Sequence, residues 1–376
     1  MAKIGILTYH FVLNYGAVMQ AWALQEYLKK RGHQVELIDY RPNHLEKGGR
    51  FYFPKNKKLL RMNLIKAYMK FRSFFYLFSK QMRLKKSKFR EFQNNYLNLS
   101  KKTIKQFKCV QKDSIDYDFF ICGSDQIWNS SNHSGIDGAY FFSFLPESCT
   151  TVSYAASFGR SFIEEDYADE VARLLKPFNF ISVREPSGVK LVYELSGKKA
   201  QCVLDPTLLL GDEISKLIDC EVENENFIFS YALRSKDTVK LTNNYISKKL
   251  NLSLVSDDSL KAKQDALSPL EWVSHIKKSS FIVTNSYHGT LFSIIFRKPF
   301  IFVSLSGIKS SYNDRAISLL KELGLSARIL GDYDEAVIDS MINLEINWDD
   351  VSEILSEKRE KSVKFIAEAV GYGDER

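Results

Sequence analysis

Polar and ionisable side chains stand at four places where an apolar run ends. The segments read TYHFVLNYGA at residues 8–17, CGSDQIWN at 122–129, VREPS at 183–187 and TNSYHG at 284–289. In open α/β sheets, ligands bind beyond the carboxyl ends of the strands. We therefore expect the four segments to contribute to one binding site.

The segment at 284–289 has the composition of an anion site. Asn285 or Ser286 can cap the helix that follows, and Gly289 removes a Cβ where a ligand would approach. The free N–H groups of a first helical turn attract negative charge. His288 falls in that turn, where an imidazole can donate a hydrogen bond or a proton to a phosphate oxygen. A structural role for His288 is the alternative.

Arg184 ends a second apolar run and precedes Glu185 and Pro186. Its fork of N–H donors matches a carboxylate or a phosphate, so we predict that it binds an anion. The alternative is an ion pair with Glu185 or Asp205.

Asp125 is the candidate general base, because it is a carboxylate on a glycine-opened loop at a strand end. An Asx turn or a helix cap would explain it equally well. Trp128, three residues later, could stack on a ligand or pack in the core.

The first segment resembles a dinucleotide-binding loop only in part. GxGxxG is absent and Gly16 alone occupies the turn, which disfavours a dinucleotide dehydrogenase. Free N–H groups near Gly16 could meet an acceptor or a phosphate. Asn14 could instead close the turn as a cap.

Apolar periodicity predicts an alternation of strands and helices that positions these segments. The βαβ opening favours a parallel sheet. Strands are predicted at 3–8, 35–38, 119–122, 152–154, 180–183, 201–204, 227–230, 252–255, 281–284 and 299–303. Helices are predicted at 16–31, 166–176, 186–195, 237–250, 269–278, 290–297, 314–323 and 348–369.

The acidic stretch at 211–225 separates two such alternations and marks the predicted hinge. We predict an N-terminal Rossmann-like domain at 1–210 and a C-terminal one at 211–376. The last helix could pack back across the junction. A basic helical insertion occupies about 47–95 of the first domain.

The net charge of +8 originates in one segment. Residues 47–90 contain 15 Lys and Arg and no Asp or Glu, while the rest of the chain carries 38 basic and 45 acidic residues. Basic residues interleaved with aromatics suit a helix on anionic lipid. A helical pair that packs its aromatics inward is the favoured alternative. Nucleic acid is not expected as a partner, because no recognised motif for it occurs.

The five cysteines are scattered, which disfavours a disulfide framework or a zinc–cysteine site and fits a reducing cytoplasm. No apolar run is long enough for a membrane span, and the first residues do not form a signal peptide. HExxH is absent and no DxD follows a strand, so no metal is predicted.

Seven segments, in order from about residue 4 to 328, resemble the polysaccharide pyruvyl transferase family. They are GILTYHFVLNYGAVMQAWALQ, CGSDQIWN, VSYAASFG, ISVREPSG, VLDPTLLL, TNSYHGTLFSIIFRKPF and NDRAISLLKELGL. The resemblance implies two Rossmann-like domains in a GT-B-like arrangement with the site in the interdomain cleft. It also implies transfer of pyruvyl from phosphoenolpyruvate to a saccharide, forming a ketal.

The family's phosphoenolpyruvate-binding arginine and histidine correspond to Arg184 and His288. We expect His288 to protonate the departing phosphate, Arg184 to bind the donor and Asp125 to act as base. No cofactor is expected beyond the donor itself. Further substrate contacts are predicted at Asn14, Tyr15, Gly16, Ser124, Gln126, Trp128, Asn285, Ser286, Gly289, Thr290, Asn313 and Arg315.

The resemblance leaves the acceptor sugar open. A polyprenyl-diphosphate-linked saccharide is our preferred acceptor because of the basic segment, which suggests a cytoplasmic enzyme at the inner face of the membrane. The alternatives are a GT-B glycosyltransferase that uses a nucleotide sugar and a noncatalytic subunit docked on a membrane assembly.

Overall fold

The computed structural model describes residues 1–46, 79–106, 116–217, 226–233, 237–307 and 312–371. The strands in these ranges are β1 Lys3–Leu7, β2 Gln34–Leu37, β3 Phe119–Asp125, β4 Thr150–Ala156, β5 Phe180–Val183, β6 Gln201–Cys202, β7 Phe227–Tyr231, β8 Ser253–Ser256, β9 Phe281–Thr284, β10 Phe300–Val303 and β11 Ile329–Leu330.

Helices of varied length connect these strands. They are Tyr15–Lys29, Asn43–Glu46, Lys80–Tyr96, Ser130–His133, Glu165–Leu175, Pro186–Ser196, Pro206–Leu210, Asp237–Leu250, Asp257–Ala262, Pro269–Lys278, Tyr287–Ile295, Asp314–Glu322, Glu335–Asn343 and Trp348–Val370. Short 3₁₀ turns occur at Gly138–Phe141, Gly211–Leu217 and Ser326–Arg328.

The strands form two parallel sheets, as the alternation of strands and helices predicted. The first has the order β2-β1-β3-β4-β5-β6 and the second β11-β10-β9-β7-β8. The predicted boundary at 210/211 falls between them. The strand order reverses direction at β1/β3 and at β7/β9, which is where open α/β sheets form a crevice for ligands.

Aromatic side chains pack the two sheet units together. Tyr15, at the start of the first long helix, stacks on Trp272 with ring centroids 5.3 Å apart and planes 4° from parallel. Its ring also lies 5.5 Å from that of Tyr231, and its hydroxyl donates to the Leu267 carbonyl at 3.2 Å. Tyr15 was predicted to contact substrate, but its side chain is buried in this interdomain packing.

The last helix, Trp348–Val370, contacts the first domain. Ser362 accepts a hydrogen bond from the Leu204 N–H at 2.9 Å, and Arg359 donates to the Leu208 carbonyl at 3.2 Å. The C-terminal segment therefore crosses the domain junction.

The described end of the basic segment packs at the same junction. Ser79 caps the Lys80–Tyr96 helix, which buries Phe89 and Phe92. Lys88 pairs with Glu271 of the second domain at 2.9 Å, and the Lys85 ammonium lies 4.5 Å from the ring centre of Tyr15. The predicted apolar face of Leu60, Leu64, Ala67 and Phe71 and the aromatic cluster at 74–78 lie outside the described residues.

The helix after β9 begins at Tyr287, three residues earlier than predicted. Ser286 caps it by accepting from the Gly289 N–H at 3.3 Å, so Tyr287 and His288 are helical residues. The β11 strand and the Glu335–Asn343 helix were not predicted. Within the described ranges, no helix combines the length and apolar character that a membrane crossing requires.

Candidate active site

A cavity of about 500 Å³ lies at the carboxyl ends of strands from both sheets. From the first domain, it is lined by residues that follow β1, β2 and β3. From the second, it is lined by residues that follow β7, β9 and β10 and by the start of the Asp314–Glu322 helix. The lining residues are Tyr9, Val12, Asn14, Ala17, Leu45, Asp125, Gln126, Ser131, Asn132, Leu233, Asn285, Ser286, Tyr287, His288, Phe302, Leu305, Tyr312, Arg315 and Ala316.

Asp205 is a buried carboxylate beside this cavity that connects residues of both domains. It accepts hydrogen bonds from Arg184 Nη1 at 2.9 Å, from Ser124 Oγ at 3.0 Å and from the N–H and hydroxyl of Thr207. His288 Nε2 of the second domain lies 3.5 Å from its Oδ2 atom. Burial would raise the pKa of Asp205, but the proximity of His288 and Arg184 holds it well below its usual range.

Arg184 lies beside the cavity and is held by ion pairs with Asp205 and Asp125. Its side chain is fully buried, and it donates to Asp125 Oδ1 at 3.4 Å as well as to Asp205. Its guanidinium carbon lies 4.5 Å from the ring centre of Tyr287, which lines the cavity. The alternative of an ion pair with Asp205 is thus present, and Arg184 does not line the cavity. Burial would lower its pKa, but Tyr287 and the carboxylates raise it, so it stays charged.

Arg315 is the guanidinium that lines the cavity. Its carbon atom lies 5.4 Å from the ring centre of Tyr287, on which Arg184 also packs. With its amide oxygen directed at Arg315, Gln126 accepts a hydrogen bond from Arg315 Nη2 at 3.0 Å. The Nε atom of Arg315 is buried and has no hydrogen-bond partner among the described residues. Burial and the charge of Arg184 lower the pKa of Arg315, and a bound anion would offset both effects.

His288 is held by close contact with Gly16 of the first domain. A Cβ built on Gly16 would lie 2.1 Å from the Cγ and Nδ1 atoms of the His288 ring, a distance that real Cβ atoms do not show. His288 Nε2 has no partner with hydrogen-bond geometry among the described residues. Gly16 was expected to expose backbone N–H groups, whereas its absent side chain makes room for the imidazole.

Asp125 ends β3 with a φ of 69°, which lies in the left-handed region. Such a conformation costs a non-glycine residue roughly 1–3 kcal/mol and is typical of functional sites. Its Oδ1 accepts from the Gln126 N–H at 2.8 Å and from Arg184. The same carboxylate lines the cavity, within which a substrate hydroxyl could reach it.

The cavity contains about half of the predicted site residues. Those that line it are Asn14, Asp125, Gln126, Asn285, Ser286, His288 and Arg315. Those that do not are Tyr15, Gly16, Ser124, Trp128, Arg184, Gly289, Thr290 and Asn313.

Several of the remaining residues support the fold of the site. Gly289 was expected to admit an anion, but a Cβ there would meet Thr284 Oγ1 at 2.4 Å, so it permits close strand–helix packing. Thr290 donates to the Ser286 carbonyl within the helix at 3.1 Å. Asn313 pairs with both backbone groups of Leu305 at 2.7 and 2.8 Å.

Trp128 was named as a substrate contact with core packing as the alternative, and the structure shows the core packing. It is 1% exposed, stacks on Phe141 with centroids 5.1 Å apart, and donates to the Tyr140 carbonyl at 3.1 Å. Neither ring face is open to a ligand, because the tryptophan belongs to the core of the first domain.

Residues that the sequence analysis did not select complete the site. Both arginines pack on the ring of Tyr287, and burial raises the pKa of Tyr287 well above the usual value, so its hydroxyl stays protonated. Tyr9 and Asn132 line the opposite wall. Tyr9 and Tyr287 belong to the segments TYHFVLNYGA and TNSYHG, so their position at a strand end was the sequence signal that could have identified them. The sequence analysis named Asp205 as a possible partner of Arg184, but nothing in the sequence placed His288 beside it.

Comparison with solved structures shows a shared fold. The chain is similar to S. aureus MnaA in a structure with UDP, at 13% identity and a TM-score of 0.51, over 100% of this chain and 99% of that one. It is also similar to a Listeria monocytogenes protein assigned as a UDP-N-acetylglucosamine 2-epimerase, at 10% identity and a TM-score of 0.55, over 100% and 98%. With the two parallel sheets, these similarities confirm a two-domain α/β fold of GT-B type.

Sequence comparison identifies the family. No match is found among curated proteins. The family model described as polysaccharide pyruvyl transferase matches residues 14–307, which include β2 to β10 and most of the cavity residues, with Arg315 outside the matched range. This match covers more than three quarters of the chain. The chain therefore belongs to the polysaccharide pyruvyl transferase family.

Proposed function

We propose that this protein transfers the pyruvyl group of phosphoenolpyruvate to a saccharide and forms a pyruvate ketal. The observation that carries this proposal is that a guanidinium and an imidazole, those of Arg315 and His288, line the same cavity. Phosphoenolpyruvate carries a carboxylate and a phosphate, for which a guanidinium fork and an imidazole are suitable donors.

The two arginines have different roles in this proposal. Arg315 lines the cavity and would contact the donor directly, with the first turn of the Tyr287–Ile295 helix supplying further attraction for the anion. Arg184 lies below Tyr287 and is neutralised by Asp205 and Asp125. It would orient these carboxylates and add positive potential, with direct donor contact only if Tyr287 moves.

The reaction needs one acid, one base and groups that bind the phosphate until it departs as inorganic phosphate. Protonation of the methylene carbon of phosphoenolpyruvate and addition of a sugar hydroxyl at C2 give a phosphorylated hemiketal. A second hydroxyl then bonds to C2 while the C2–O bond to phosphate breaks, and its proton leaves with the phosphate. Two hydroxyl protons are thus transferred, one to carbon and one to phosphate.

Asp125 and His288 are placed for these proton transfers. Asp125 would accept a hydroxyl proton, since its carboxylate lines the cavity in a fixed, left-handed conformation. His288, in its protonated form, would donate to the departing phosphate. The reaction requires no cofactor besides the donor.

The cavity wall of the first domain would hold the acceptor. Asn14 and Asn132 line this wall, and their side-chain amides are groups that recognise sugar hydroxyls. We extend the proposal to a lipid-linked acceptor presented at the cytoplasmic membrane surface, because the basic segment at 47–90 would favour anionic lipid.

Substitution at the two donor contacts tests the assignment. Arg315→Met is expected to raise KM for phosphoenolpyruvate about 10- to 100-fold, because a hydrogen bond to a charged group contributes about 1.5–3 kcal/mol. His288→Gln is expected to lower kcat about 10²- to 10⁴-fold through loss of the general acid. Phosphate release that depends on both donor and acceptor is the measurement.

Matched controls are Arg173→Met and His33→Gln, which remove the same side chains outside the cavity. Both should retain the parent kinetics. A folded Arg315→Met or His288→Gln protein with parent kinetics would reject the role assigned to that residue.

Substitution of Gly16 tests the contact that positions the imidazole. Gly16→Ala places a methyl group in the space of the His288 ring, and misplacement by about 1 Å can cost 10²-fold in rate. We expect kcat to fall about 10²-fold. Gly331→Ala is the control, because a Cβ there meets nothing within 4 Å. Equal activity of the two variants would mean that the position of the imidazole does not limit catalysis.

The membrane proposal is tested by deleting residues 55–78, which leaves the packed Lys80–Tyr96 helix in place. We expect the parent protein to sediment with vesicles that contain anionic lipid but not with neutral vesicles. The deletion variant, at an unchanged melting temperature, should remain in the supernatant. If it pellets as the parent does, residues 55–78 do not bind the membrane.

A further inference from the structure

Three buried side chains from separate segments converge on the first-domain side of the cavity. His44 lies on the Asn43–Glu46 helix, His133 ends the Ser130–His133 helix, and Asp137 caps the Gly138–Phe141 turn. Their exposed fractions are 6%, 2% and 4%. The proposed pyruvyl transfer uses none of them.

The distances among their ligand atoms fit a metal ion. His44 Nε2 is 2.9 Å from His133 Nδ1 and 3.6 Å from Asp137 Oδ2, and the last two atoms are 3.9 Å apart. The circle through these three atoms has a radius of about 2.0 Å, which is the length of a zinc–nitrogen or zinc–oxygen bond. One point is therefore at bonding distance from all three atoms.

Outer contacts orient two of the three ligands. His133 Nε2 lies 3.0 Å from the Ile127 carbonyl, which can only accept, so Nε2 bears the proton and a neutral ring directs the lone pair of Nδ1 to the cluster. Asp137 accepts from the Tyr40 hydroxyl at 3.0 Å and from the Ala139 N–H at 3.2 Å. Hydrogen bonds of this kind are the usual outer shell of metal ligands.

The charge of the cluster also favours a cation. Asp137 is buried, and within the described residues its ion-pair partners are the two histidines alone. A buried carboxylate needs a compensating charge. A protonated histidine would supply this charge. However, His44 Nε2 and His133 Nδ1, 2.9 Å apart, can share only one hydrogen bond, and they lie 3.6 and 3.9 Å from the carboxylate. A dication would satisfy all three groups together.

We infer that His44, His133 and Asp137 bind a divalent transition-metal ion of the zinc class. Two imidazoles and one carboxylate favour such an ion over Mg²⁺ or Ca²⁺, which prefer oxygen ligands. The ion would position the cavity wall, because Leu45 adjoins His44, Asn132 adjoins His133, and the Tyr9 hydroxyl lies 2.8 Å from His133 Nε2. No step of pyruvyl transfer passes through it.

Titration of the full-length, chelator-treated protein with Co²⁺ tests this inference. We expect one ion per chain, with visible d–d bands and without the near-ultraviolet charge-transfer band of a thiolate, so binding by cysteines is recognisable. Zn²⁺ should displace the cobalt. His133→Gln and Asp137→Asn should abolish this spectrum, whereas His33→Gln, outside the cluster, should retain it.

Tyr40→Phe serves as a second variant if the ligand variants do not fold. It removes one hydroxyl that orients Asp137 and should weaken metal affinity about 10- to 100-fold. The inference is overturned by the absence of stoichiometric binding to the parent protein, by a thiolate spectrum alone, by unaltered binding in folded His133→Gln, or by unaltered affinity in Tyr40→Phe. Donor-dependent phosphate release is measured separately, so its failure would not affect this result.

Discussion

The shared carboxylate of Asp205 is the interaction on which the site depends. It accepts a short hydrogen bond from Arg184 of the first domain and lies beside His288 of the second. Burying an ionised side chain costs on the order of several kcal/mol unless hydrogen bonds and an opposite charge compensate it. Ser124 and Thr207 complete the contacts of Asp205, and so the carboxylate stays ionised in the interior.

This arrangement explains why two cations can stand close together beside the cavity. The guanidinium carbons of Arg184 and Arg315 lie 4.5 and 5.4 Å from the ring centre of Tyr287. Cation–π contacts of this kind contribute about 0.5–2 kcal/mol each when desolvated. Asp205 and Asp125 neutralise Arg184, whereas Arg315 lines the cavity. The charge that could attract an anionic donor is thus concentrated where the cavity is open.

The sequence was sufficient for the fold because apolar periodicity and strand-end chemistry are local signals. β5 and β9 were predicted with their correct bounds. Three of the four polar segments line the cavity, and Arg184 of the fourth bonds to Asp125 beside it. The roles of individual residues depend on partners distant in sequence. The absent side chain of Gly16 leaves space for the ring of His288, 272 positions away, and Asp205 neutralises Arg184. The burial of Trp128 and the convergence of His44 with His133 likewise follow from packing, which one sequence does not show.

The most direct measurement is mass spectrometry of disaccharide acceptors incubated with the protein and either phosphoenolpyruvate or a nucleotide sugar. With phosphoenolpyruvate, the account predicts an acceptor mass increased by one pyruvate ketal and an equal amount of released phosphate. Addition of a hexosyl unit from the nucleotide sugar, with no ketal from phosphoenolpyruvate on any acceptor, would contradict it.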